Sequence, residues 1–224
     1  MSKYLSVILL LFISLSIFGQ ERETDFGAAF SVQLNKDILR YWGISFENEA
    51  RLKSNYTELE RLTSGIGIDY KIVKGLKAGV SYNFLYLYNS SFRYECRHRY
   101  SAHLSYKYDL SRKWTLSWRT RFQSTYRDED RGEYRINPKY VLRNRLKAEY
   151  NILGTPFKTY LSAEAANLLN DPLGNEIYKL RFEGGTSWRL DRTNTLEFFL
   201  RVDESLVWPD PRMISIGIGY NKNF

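Results

Sequence analysis

Strict alternation of apolar with polar residues, repeated in segment after segment, restricts what this chain can fold into more than any other feature. A period of two belongs to a strand whose two faces meet different surroundings. In the last segment Ile214, Ile216, Ile218, Tyr220 and Phe224 share one face, interrupted by Lys222, while Ser215, Gly217, Gly219, Asn221 and Asn223 share the other. The same parity sets Leu76, Ala78, Val80, Tyr82 and Phe84 against Lys77, Gly79, Ser81 and Asn83. It recurs in Tyr100, Ala102, Leu104 and Tyr106 against Arg99, Ser101, His103 and Ser105, and in Trp114, Leu116, Trp118 and Phe122 against Thr115, Ser117, Arg119 and Arg121.

Turn residues divide these segments at two alternating kinds of site. Short turns are expected near Lys36, Val73-Lys74-Gly75, Ser111-Arg112-Lys113, Leu153-Gly154-Thr155-Pro156 and Asp191-Arg192-Thr193-Asn194. Between them come connections near Lys53-Thr57, Asn89-Phe92, Arg127-Pro138, Asn167-Glu176 and Ser205-Pro211, several of them longer and more polar. Short turns at one end and longer loops at the other describe an all-β, up-and-down antiparallel transmembrane β-barrel, with its periplasmic and extracellular rims.

From Ile38 to Phe224 the segments predict about ten strands, with twelve as the alternative, because bacterial single-chain barrels have even strand numbers. The strand-like stretch Phe26 to Leu34 breaks that parity. It is expected to pair only partially or to fold into the lumen.

Alternation alone does not say which face is inside, since a soluble lipocalin-like barrel alternates too, with its apolar face inward. Aromatic residues decide the matter. Tyr70, Tyr106, Tyr108, Trp114, Tyr150, Phe157, Trp188 and Tyr220 lie toward strand ends near the short turns, as in the girdles where Tyr and Trp sit at a membrane interface. The polar face mixes Gly, Ser and Ala with long charged residues, which suits a crowded lumen. Phe224 and Tyr220 also resemble the terminal aromatic signal read by the barrel assembly machinery.

The N-terminus agrees with export. Lys3 precedes an apolar run from Leu5 to Phe18, too short for a comfortable membrane span, and Gly19 offers a small residue for cleavage. Residues 1–19 are therefore expected to be a signal peptide and residues 20–224 the barrel. Charged residues make up 26% of the chain, yet it carries 18 Tyr, 13 Phe and 5 Trp, a combination suited to a polar lumen inside an apolar belt. Cys96 is the only cysteine, so an internal disulfide is impossible. The net charge of +8 is moderate, and no nucleic-acid motif accompanies it. The expected surroundings are the outer membrane, with its lipid and lipopolysaccharide; the sequence leaves the oligomeric state open.

Several short motifs point to a family: His98-Arg99; Leu142-Arg143-Asn144-Arg145-Leu146 leading to Glu149-Tyr150-Asn151; Ser162-Ala163-Glu164; Tyr178-Lys179-Leu180-Arg181 with Gly185; and Gly217-Ile218-Gly219-Tyr220. In these the chain resembles a family of Bacteroidetes outer-membrane barrels, domain of unknown function 2490. The resemblance implies fold and location and no activity.

The chemistry expected of the lumen is that of arginine. Hairpin register sets Arg145 across from Glu164, Glu164 near Arg181, and Glu183 near Arg201 and Asp203. One reading is a plug of paired charges filling a narrow barrel. Another is an anion path along Arg99, Arg119, Arg121 and Arg143, which have fewer acidic partners, because arginine forks bind carboxylate and phosphate bidentately. The plug is the preferred expectation. A lipid hydrolase is the remaining alternative, from the His-x-Ser spacing of His103-Leu104-Ser105, but parity turns both side chains into the lumen and away from lipid. His98 lies on the apolar face without a serine two residues on. With two His and one Cys, no metal site and no cofactor are expected.

Overall fold

The computed structural model describes residues 23–89, 93–127, 136–172, 174–207 and 210–224. The expected signal peptide lies outside them, as does most of the Arg127-Pro138 connection. Each alternating segment forms a strand: β1 Thr24–Asp37, β2 Trp42–Lys53, β3 Glu58–Val73, β4 Leu76–Asn89, β5 Arg93–Asp109, β6 Trp114–Arg127, β7 Lys139–Asn151, β8 Phe157–Leu168, β9 Glu176–Arg189, β10 Asn194–Ser205 and β11 Arg212–Asn223. Sequential neighbours pair antiparallel, and β1 joins β11 to close the barrel.

The described strands number eleven because Phe26 to Leu34, expected to pair partially or enter the lumen, lies within the full wall strand β1. It runs parallel to β11 from Thr24 opposite Arg212 to Asn35 opposite Asn223, and antiparallel to β2 from Ala28 opposite Leu52 to Asp37 opposite Gly43. The physical reason is backbone satisfaction. Where water is excluded, a strand's N–H and C=O groups need partners on both edges, and β1 finds them between β2 and β11. Asn35 fastens the parallel seam from inside, its Nδ2 donating to Asn221 Oδ1 at 2.8 Å and to Asn223 Oδ1 at 3.1 Å.

The apolar face points outward. Leu161 is 72% exposed, Leu146 64% and Val80 59%, whereas Ala29 on the inner face is 1% exposed. That arrangement is the reverse of a soluble lipocalin-like barrel. Above and below the aliphatic belt, aromatic side chains pair across strands. At the short-turn mouth Trp42 meets Tyr70, and Trp114 meets Tyr150, each with ring centroids 4.9 Å apart. Toward the long-loop mouth Tyr86 stacks on Tyr94 at 4.7 Å. The belt therefore carries an aromatic ring at each edge, as a membrane-spanning wall requires.

The inner face is packed by matching small residues to large ones. Gly217 lies under the ring of Phe199, where a Cβ would collide with three ring carbons. Gly79 similarly leaves room for the Asp69 carboxylate and the His103 ring.

Candidate functional site

Inward parity puts the charged residues of β2, β3 and β5 through β10 into one lumen, where they divide into two zones along the barrel axis. The zone toward the long loops is crossed by ion pairs. Arg181 Nε and Nη2 donate to Asp203 at 2.5 and 3.0 Å, and Arg201 Nε donates to Glu183 at 2.7 Å. Glu49 on β2 bridges these groups past β1 and β11, 2.6 Å from Arg51 Nε and 3.7 Å from Arg201 Nη1. Arg51 in turn reaches Asp203 at 3.9 Å. The result is one continuous ion-pair network across the barrel, the form in which charges tolerate removal from water.

Next to this network lies an apolar layer. Val141, Ala166 and Leu168 are buried together, with Ile136 and Tyr178 packed against them, and Leu85 projects inward from β4 with no exposed surface. A bulge near Ala166 and Asn167 leaves Tyr178 without a register partner on β8, and Lys139 Nζ sits 4.3 Å from its ring centroid. Sequence reasoning missed this layer. The signal that could have found it is the inward parity of Leu85, Val141 and Leu168 among polar neighbours.

The zone toward the short turns is open. A cavity of about 1030 Å³ enters at that mouth, lined by eight Lys and Arg against four Asp and Glu. A second cavity of about 390 Å³ continues inward and shares Asp69, His103, Arg119, Arg145 and Lys147 with the first.

The residues expected to form the paired network are brought together, with one exchange of partners. Arg145 stands directly across from Glu164, but it is Arg143 Nη2 that binds the Glu164 carboxylate. Arg145 has no carboxylate within ion-pair reach among the described residues. Of the four residues expected along an anion path, Arg143 is thus paired, and Arg99 donates from Nε to Thr125 Oγ1 at 3.1 Å. Among the described residues Arg119 and Arg121 remain without a carboxylate within ion-pair reach, and the buried Nε of Arg119 has no hydrogen-bond acceptor. Across the β6–β7 seam Arg119 is directly opposite Arg145, and Arg121 is opposite Arg143.

His103 and Ser105 face the lumen. His103 Nε2 is 3.2 Å from Asp69 Oδ1, while its buried Nδ1 has no partner, so no hydrogen bond links this ring to Ser105. His98 is on the outer face, its Nδ1 2.6 Å from the Tyr82 hydroxyl. Phe224 is 63% exposed beside Lys222, and the Tyr220 hydroxyl donates to Asn194 Oδ1 at 2.6 Å.

Solved structures share this wall at low identity. The NanC porin aligns with a TM-score of 0.56 and 13% identity over 89% of this chain and 99% of its own. A bacterial polysaccharide outer membrane secretin aligns with a TM-score of 0.54 and 14% identity over 80% of this chain, which spans 63% of the secretin's length. These likenesses concern the fold: a β-barrel resembling those of outer-membrane porins. No curated protein matches the chain. A family model described as "Protein of unknown function (DUF2490)" matches residues 26–204, most of the barrel from β1 into β10, and the chain belongs to that family.

Proposed function

We propose that the protein is a non-enzymatic outer-membrane barrel whose lumen is sealed by its own side chains on the long-loop side, serving a structural or surface-interaction role. The observation that carries this reading is the burial of inward groups in that half, with Leu85 at 0% exposure and both Val141 and Asp203 at 4%. Small barrels fill readily in this way. Planar-bilayer recording tests it. The purified protein is expected to show little conductance, and a steady, anion-selective open channel would overturn the reading.

A second reading, a small-solute or anion channel, is favoured by Arg119, Arg121 and Arg145, which among the described residues have no carboxylate within ion-pair reach beside an open cavity. It requires the apolar layer and the ion-pair network to part. A lipid hydrolase finds less support, because His103 and Ser105 face away from lipid without a hydrogen bond between them. The proposal carries with it an exported chain of Bacteroidetes origin with residues 1–19 removed. In the outer membrane, lipid and lipopolysaccharide surround the apolar belt, and Tyr220 and Phe224 engage the assembly machinery during insertion.

A further inference from the structure

We propose that the chamber open at the short-turn mouth binds a small solute carrying a dianionic phosphate or paired carboxylates, held by the guanidinium groups of Arg119, Arg121 and Arg145. The first support is an arrangement that the empty fold does not favour. Like charges directly opposite on neighbouring strands destabilise a sheet, and here two such arginine pairs, 119 with 145 and 121 with 143, lie side by side. Among the described residues, Arg143 alone of these four has a carboxylate within ion-pair reach.

The second support is that most of the nearby acids are engaged elsewhere. Asp69 faces His103 at 3.2 Å, Glu149 accepts from Lys147 at 3.0 Å, and Glu164 is held by Arg143. Glu47 and Glu197 line the inner cavity without coming within ion-pair reach of the three free arginines. The third support is the buried Nε of Arg119, a donor with no acceptor among the described residues where the two cavities meet. An anion with several oxygens supplies what is missing, since guanidinium forks take up phosphate and carboxylate bidentately. A cavity of about 1030 Å³ is ample for a small solute, and the lysines at its mouth attract anions toward it.

Sealing on the long-loop side makes this a blind chamber, entered and left by one mouth. The proposal and the sealed-lumen reading can fail separately, because an open pore can still bind an anion and a sealed barrel can ignore one.

The test is calorimetric titration of the refolded barrel in detergent at low salt, with citrate and inorganic phosphate as probes. Wild type is expected to bind at least one of them, more weakly as salt rises. The double variant Arg119→Gln/Arg145→Gln should bind about tenfold more weakly or worse, the loss expected for charge-assisted contacts. It should unfold at the same or a higher denaturant concentration than wild type, because a repulsive pair has been removed. Arg192→Gln, in the exposed turn between β9 and β10, removes one positive charge outside the lining of either cavity and should leave binding unchanged. The proposal is overturned if wild type binds neither probe, if the double variant binds as tightly, or if Arg192→Gln weakens binding equally.

Discussion

Arg181 on β9 and Asp203 on β10 stand directly opposite each other and meet through two parallel contacts of 2.5 and 3.0 Å. Lys179 at 3.4 Å and Arg51 at 3.9 Å converge on the same carboxylate, which makes Asp203 the shared anion of three cations.

Asp203→Asn should therefore destabilise the barrel strongly. It takes from Arg181 and Lys179 the carboxylate they share in a confined site, at a cost of about 3–5 kcal/mol where burial is complete. Glu164→Gln should cost less, because the Arg143–Glu164 side chains keep 18% and 15% of their exposure while the Asp203 side chain keeps 5%. Urea unfolding of the refolded proteins measures both, and equal losses would contradict this ranking.

The turn after β9 should show a pH signature. Asp191 accepts from Asn194 Nδ2, from the backbone N–H groups of Thr193 and Asn194, and from the Thr193 hydroxyl. These donors, the Asn194 side chain foremost, hold its carboxyl far below the usual range. A depressed folded-state value contributes stability that is present above the unfolded value, about 4, and is lost as pH falls toward the folded one. Asp191→Ala should be less stable than wild type at neutral pH, and the gap should narrow on acidification below about pH 4. A gap unchanged by acid would remove the carboxylate from the account.

The parallel seam can be tested by cross-linking. Ser31 and Gly219 are Cα partners, and a Cβ built on Gly219 lies 3.0 Å from Ser31 Oγ. Ser31→Cys with Gly219→Cys, in a Cys96→Ser background, should form an intramolecular disulfide, since the side chains fall within bridging range. Failure to cross-link in the folded barrel would mean that β1 does not occupy this place.

The wall was legible in the sequence because burial against lipid on one side and lumen on the other writes itself into every second residue. Leu76 to Tyr88 and Ile214 to Tyr220 needed no long-range information. The parallel closure did, since β1 alternates like every other strand and its place depends on a partner at the far end of the chain. Choice of ion-pair partner was hidden for a different reason. Register fixes which Cα atoms are opposed, but arginine reaches diagonal neighbours too, so Glu164 is taken by Arg143 although Arg145 is directly across. The open chamber follows from how far side chains extend into the lumen, which alternation does not encode.

An odd number of strands sets the direction in which the two ends of the barrel leave it. β1 begins beside the start of β11 at the long-loop mouth, and β11 ends beside the end of β1 at the short-turn mouth. Anything joined ahead of Thr24 is consequently delivered to one mouth and anything joined after Asn223 to the other. Tags placed at the two ends would report on opposite faces of the layer this wall spans, whereas a ten- or twelve-stranded wall would bring both out on the same face.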